Sequence, residues 1–337
     1  MPSFRTAVVT ELLEARPGLS RVRLADGARA YALEQLTGAV GVGDEVVVNT
    51  TAVELGLGSG GWHIVHWNLT RGPWSAPGPG HLMKLRYTSL QVDTGAAEED
   101  GAVPPDLEGI PVVVAGVHSQ LPVVAAAIGA HRPGTRVAYV MTDGAALPLA
   151  MSDLVVGLVQ RGLLCGTVTA GHAFGGDLEA LNVPSALAVA RHRLEAEAVI
   201  VCMGPGIAGT GSDLGFTGLE VAPALDAVAW LGGVPIACLR CSDGDARPRH
   251  QGISHHSRTV LDAVRSEVDV PHHPGVVPCT PRHRWHEVDP GDPEAMLAAL
   301  DLRVTTMGRL PAEDPAYFAA ATAAGRFAAS VLLWDEA

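Results

Sequence analysis

Three histidines, His250, His255 and His256, fall within the stretch RHQGISHHSRTVLDAVRSEV, just ahead of a helical pattern. Neutral imidazole can serve as a base, an electrophile or a metal ligand, so proton transfer, carbonyl polarisation and metal chemistry are all open to this stretch. A helix is predicted to begin near Ser254, with Val260, Leu261 and Val264 as its buried stripe. His256 stands four residues before Val260 and shares its face, whereas His255 turns toward a more polar side. Adjacent helical residues point about 100° apart, so the pair is not a ready-made chelate, and no metal ligand set is assigned. A histidine in the first turn meets the positive helix end, which disfavours imidazolium. His256 is therefore read as a catalytic residue and His255 as a substrate contact. In the same loop, Asp243 is a candidate acid, base or metal contact. Arg240, Arg247 and Arg249 suit a phosphate or carboxylate, and Arg247 is read as the substrate contact among them.

Other turns carry comparable residues. MGPGIAGTG sets Gly204, Gly206 and Gly209 in GxGxxG spacing directly after an apolar run, with Gly211 beyond. Glycines let backbone amides approach an anion, so these four are read as an anion or cofactor cradle. The next convincing helix starts several residues later, and no acid closes a following strand about 20 residues on, which counts against a dinucleotide. The cofactor stays unassigned. TAGHAFGGD holds His172, flanked by glycine and read as catalytic, and Asp177, read as a helix cap or substrate contact. His118 in GVHSQLP is a further catalytic candidate and Asp143 in MTDGAALP a substrate contact; Ser119 lacks a GxSxG elbow and is not proposed as a nucleophile. Lys84 is the only lysine in the chain. An arginine-rich codon bias accounts for that, but a compact, titratable ammonium retained there is also a candidate substrate contact.

These residues need elements to position them. From residue 110 onward, PVVVAGV, RVAYVM, GTVTA, AVIVCM and PIACLR each precede a polar or glycine-rich turn and a helix-length segment. The expected fold is α/β: a mainly parallel, Rossmann-like sheet flanked by helices, which binds ligands beyond the carboxyl ends of its strands. All the candidate turns except Lys84 would then lie on that one rim. Residues 1–70 carry five short alternating runs separated by turns such as RPGL and DG, the pattern of a small OB- or SH3-like β-barrel. In the last run Trp62, Ile64 and His66 share one face and His63, Val65 and Trp67 the other, so both faces are expected to be covered. Residues 71–109 read as an extended, Gly/Pro-rich bridge with one strand, and residues 110–337 as the α/β domain.

A formal charge of -13 and a pI near 5.5 argue against nucleic-acid and anionic-membrane partners, which both need excess positive charge. The amino terminus has no basic-then-apolar signal pattern, and a cytoplasmic protein is expected. Five cysteines are an odd, scattered number, consistent with reduced thiols. Cys238 and Cys241 form a CxxC on a β-type run, where odd separation puts them on opposite faces, and no second CxxC completes a zinc site. The Ala-rich segment near the carboxyl end is expected to be a long helix packing closely within the subunit or across a homodimer interface.

The strings GGWHIVHWNL, GPGHLMKLRYTSLQVDTGAAEE, YVMTDGAALPLAMSDL, TVTAGHAFGGDLEALNVPSALAVARH, MGPGIAGTGSDLGFTGLEVAPALD and RHQGISHHSRT resemble the bacterial family known as domain of unknown function 3866. The resemblance spans nearly the whole chain and implies no activity, so no residue role is carried over from it. The residues themselves point to an enzyme acting on a small anionic, phosphorylated or nucleotide-like metabolite, a hydrolase or transferase. A non-catalytic metabolite-binding or regulatory protein and a divalent-metal-dependent hydrolase are the alternatives.

Overall fold

The computed structural model describes residues 1–334 and divides the chain into two compact units, Met1–Gly95 and the remainder from Ala96. In the first unit β1 (Phe4–Arg16), β2 (Leu19–Leu24), β3 (Arg29–Leu33), β4 (Glu45–Asn49) and β5 (Trp62–Asn68) close a barrel in the order β1-β2-β3-β5-β4. Two single-turn helices, α1 (Glu34–Thr37) and α2 (Thr51–Glu54), fill the gaps before β4 and β5. Every second residue of the strands points inward, and Val9, Val22, Leu24, Val46, Val48 and Val65 form the interior. The strict alternation expected of β5 breaks at its end. The register slips where β4 passes from Val48 to Val47, pairing them with Val65 and Trp67, so His66 is the extra, bulged residue. Asn68 is consequently buried and Trp67 remains exposed.

The single strand expected in the bridge is instead a minimal hairpin, β6 (Met83–Lys84) against β7 (Val92–Asp93). Leu85 and Tyr87 adopt positive φ values, which turn the chain back and end the strand after Lys84.

In the second unit β8 (Pro111–Ala115), β9 (Val137–Thr142), β10 (Gly166–Thr169), β11 (Leu178–Glu179), β12 (Ala198–Met203), β13 (Val234–Cys238), β16 (Asp269–His272) and β17 (Arg284–Glu287) build one parallel sheet, ordered β11-β10-β9-β12-β8-β13-β16-β17. The remaining strands, β14 (Cys241–Ser242) and β15 (Gly252–Ile253), pair antiparallel in the loop after β13. The sheet is mainly apolar on both faces, as parallel sheets are. Val112 and Val114 point into one core with α5 (Val183–Arg193), α6 (Val221–Trp230) and α7 (His255–Ala263). Val113 and Ala115 point into the other with α3 (Leu121–His131), α4 (Asp153–Gln160), α8 (Pro293–Ala299) and α9 (Pro315–Trp334). Cys238 belongs to the second core and Cys241 to the first, and burial raises both thiols, that of Cys241 to about 12. Among the described residues no helix is long and apolar enough to cross a membrane.

The small residues of α9 serve packing inside the unit. A Cβ on Gly325 would stand 2.6 Å from the Val124 carbonyl oxygen and 2.7 Å from Ala127 Cβ, both on α3. Alanine is the better helix former by about 1 kcal/mol. Overpacking nevertheless wins here, because the obstacle is backbone that can yield only by separating the two helices. Gly325→Ala is expected to lower stability by about 1–3 kcal/mol, read as an earlier urea midpoint with an unchanged slope.

Candidate active site

The connections of β8 and β13 leave in opposite directions. From β8 the chain runs through α3 to β9 on one side, and from β13 it runs through α7 to β16 on the other. Ligands of open α/β sheets bind at such switch points, outside the carboxyl ends of the strands. A narrow cleft with an enclosed volume of about 20 Å3 opens here, lined at the strand ends by Gly116, Val117 and Leu239 and closed by Val221 and Val260. Its wall is apolar apart from Arg240, His256 and Ser257. Its lining, mainly apolar with a few converging polar groups, is of the kind found in small-molecule sites, while its enclosed space holds about one water.

The loop from Arg240 to Ser254 is built on two buried carboxylates. Asp314, at the start of α9 and fully buried, accepts from Ser242 Oγ (2.7 Å) and from the amides of Asp243 (2.9 Å) and Gly244 (3.2 Å). Arg309 binds the same carboxylate through Nε at 3.0 Å and Nη2 at 2.9 Å. Asp245 takes a two-pronged contact from Arg247, at 2.9 and 2.7 Å, with Arg240 at 3.6 Å. The hydrogen bonds from Arg247 hold the Asp245 carboxyl well below its ordinary range. Arg247 is thus engaged inside the loop rather than turned toward the cleft, and Asp243 contributes its amide while its side chain is exposed.

The histidines meet above this base. Ser254 caps α7, its Oγ accepting from the His256 amide at 3.2 Å and contacting His250 Nδ1 at 2.8 Å. Ring centroids of His255 and His256 lie 4.3 Å apart, and each lies 4.9 Å from that of His250. One nitrogen from each of the three falls within 4.8 Å of the others. This differs from the divergent pair expected from the helical repeat. Side chains of a first turn tilt back toward the helix start, so two neighbours can converge over the helix end, and the folded-back loop supplies the third. His255 Nε2 is buried and has no hydrogen-bond partner among the described residues.

His256 is held on two sides. Its ring stacks on Phe216 at 3.9 Å and 5°, and Arg240 Nη1 donates to its Nδ1 at 3.2 Å. Guanidinium can only donate, so Nδ1 accepts and Nε2 carries the hydrogen. Burial, followed by the neighbouring Arg240, lowers His256 to about 3 and His250 to about 4; burial also lowers His255. All three are neutral near pH 7.

The remaining candidates lie elsewhere. His118 is buried, with Nδ1 bonded to the Met203 carbonyl at 3.1 Å and Nε2 to Ser152 Oγ at 2.7 Å, and burial lowers it to about 4. Both nitrogens are committed, Nδ1 to the end of β12 and Nε2 to the cap of α4. His172 is exposed, its amide donating to Asp143 Oδ2 at 2.9 Å. Asp177 accepts from the Thr167 amide and hydroxyl, both at 2.8 Å, and Asn182 rather than Asp177 caps α5. In the loop holding Gly204, Gly206, Gly209 and Gly211, Thr210 donates to the Gly215 carbonyl at 2.7 Å and Ala208 to Thr217 Oγ1 at 3.2 Å. The loop is a local hairpin whose amides are partly consumed by its own turns. Lys84 belongs to the first unit and is buried. His255 and His256 are therefore brought together, joined by His250 and Arg240; His118, His172, Asp143 and Asp177 sit toward β9, β10 and β12.

Glu220 carries no sequence signal, being one acid at the start of an apolar helix. It accepts from Thr142 Oγ1, and a Cβ on Gly144 would collide with its carboxylate. Burial pushes its carboxyl up to about 7, against the opposing hydrogen bond from Thr142.

A family described as "Protein of unknown function (DUF3866)" matches residues 29–325, most of the chain. No curated protein matches the sequence.

Proposed function

We propose that this chain, which belongs to the DUF3866 family, binds and acts on a small anionic metabolite in the cleft between the ends of β8 and β13. The observation that carries this reading is the setting of His256. A neutral imidazole, stacked on Phe216 and fixed in one tautomer by Arg240, offers an oriented Nε2–H at the edge of an apolar recess. Such a donor can polarise a carbonyl or hold a phosphoryl oxygen without reorganising at the moment of reaction. Arg240 supplies the positive charge of the wall.

A panel of phosphate- and carboxylate-bearing metabolites, each paired with its neutral counterpart, tests the reading by thermal shift and calorimetry. At least one anion is expected to bind where its neutral counterpart does not. His256→Ala is expected to weaken that binding by about 10-fold or more, the usual worth of a hydrogen bond to a charged group. Binding of neutral compounds alone, or binding untouched by His256→Ala in a folded protein, overturns it. Turnover of the bound anion separates an enzyme from a non-catalytic binder.

A further inference from the structure

We propose that His250, His255 and His256 bind one divalent transition-metal ion, in competition with the Arg240 guanidinium for the third imidazole. Three observations lead here. The ligand nitrogens already lie within 4.8 Å of one another. His255 Nε2 is buried without a hydrogen-bond partner among the described residues, a polar atom that no protein group satisfies. His250 Nδ1 is bonded to Ser254 Oγ, the second contact that orients a metal-binding histidine and leaves its Nε2 available.

Ligand nitrogens of a tetrahedral site stand roughly 3.4 Å apart, so the rings must close by about 1 Å. His255 breaks no hydrogen bond in doing so. His256 does: its Nδ1 lone pair is taken by Arg240, and its Nε2 carries a hydrogen. Binding through Nδ1 displaces Arg240 directly. Binding through Nε2 moves the hydrogen to Nδ1, which then faces the arginine N–H groups. Either way Arg240 must leave, and the same side chain lines the cleft. An all-imidazole set selects zinc, nickel, cobalt or copper over magnesium or calcium, and three histidines leave the fourth position open to solvent or substrate. The metal site does not depend on the anion reading, since a metal titration needs no organic ligand.

Chelator-treated full-length protein titrated with Co2+ is the test. One equivalent is expected to bind with the intense visible absorption of a low-coordinate cobalt complex. His255→Ala is expected to weaken binding by at least about 10-fold while leaving circular dichroism unchanged, because the lost nitrogen has no protein partner. Arg240→Gln is expected to tighten binding, by about 10-fold, because the competing cation is gone. Absence of the cobalt band, or a band that persists in His255→Ala, overturns the site. Weaker cobalt binding in a folded Arg240→Gln protein overturns the competition. Inorganic phosphate serves as the contrasting probe: stabilisation by phosphate that His255→Ala abolishes, with no cobalt band, assigns the cluster to an oxyanion instead.

Discussion

Replacing Asp314 with alanine is expected to destabilise the second unit by about 3–5 kcal/mol, the cost of breaking a buried ion pair from one side. The carboxylate is fully buried and takes five contacts: two from Arg309, one from Ser242 Oγ and two from the amides of Asp243 and Gly244. Alanine leaves a partly buried guanidinium facing a cavity and two amides without their acceptor. Against a typical total stability of about 5–15 kcal/mol, this is a large fraction. Asp314→Asn keeps an acceptor and the volume, so its cost should fall between wild type and alanine. Urea unfolding of the three proteins checks the order. An alanine variant within about 0.5 kcal/mol of wild type would show that the network contributes little net stability, as surface pairs do. The loop anchored by Asp314 also carries His250, so a folded Asp314→Ala protein is expected to bind cobalt more weakly, linking one buried acid to the geometry of the histidines.

That dependence explains how much of the site was legible beforehand. The barrel strands follow from period-two patterns, and the five apolar strands of the sheet from continuous apolar runs closed by polar or glycine turns, all of them local. The helix start at Ser254 follows from its cap, also local. By contrast, β16 and β17 read as DVPH and RWHE, polar and in one case proline-bearing, and become strands only because β13 offers an edge to β16 and β16 the next edge to β17. The convergence of His250 on His255 and His256 is hidden for the same reason. It requires the loop to fold back onto Asp245 and Asp314, and Asp314 is about 70 residues away in sequence. Arg247 looked like an anion contact because its partner Asp245, two residues away, gives no sign that it is buried. Asp177 and Asn182 both preceded the same helix, and only the backbone path decided which of them caps it.

Glu220→Gln is expected to stabilise the protein by about 3 kcal/mol at pH 8 and by almost nothing at pH 4. In the folded protein burial raises the Glu220 carboxyl from an ordinary 4.5 to about 7. Below pH 4.5 both folded and unfolded chains hold the proton, and the group adds no pH dependence. Between pH 4.5 and 7 the unfolded chain releases it while the folded chain keeps it, so stability falls as pH rises. Above pH 7 the loss is complete, at about 3 kcal/mol for the shift described. Glutamine imitates the protonated acid, retains an oxygen for Thr142 and cannot ionise. The difference between the variant and wild-type stability curves isolates this one group, because the lowered histidines titrate in both proteins. Parallel curves from pH 4 to pH 8 would mean that Glu220 ionises as an exposed acid does. A rising difference centred between 4.5 and 7 would establish a carboxyl that keeps its proton near neutral pH at the end of β9, beside the exposed Asp143. That is the protonation range general acid–base chemistry requires, held at a cost in stability that glutamine would remove.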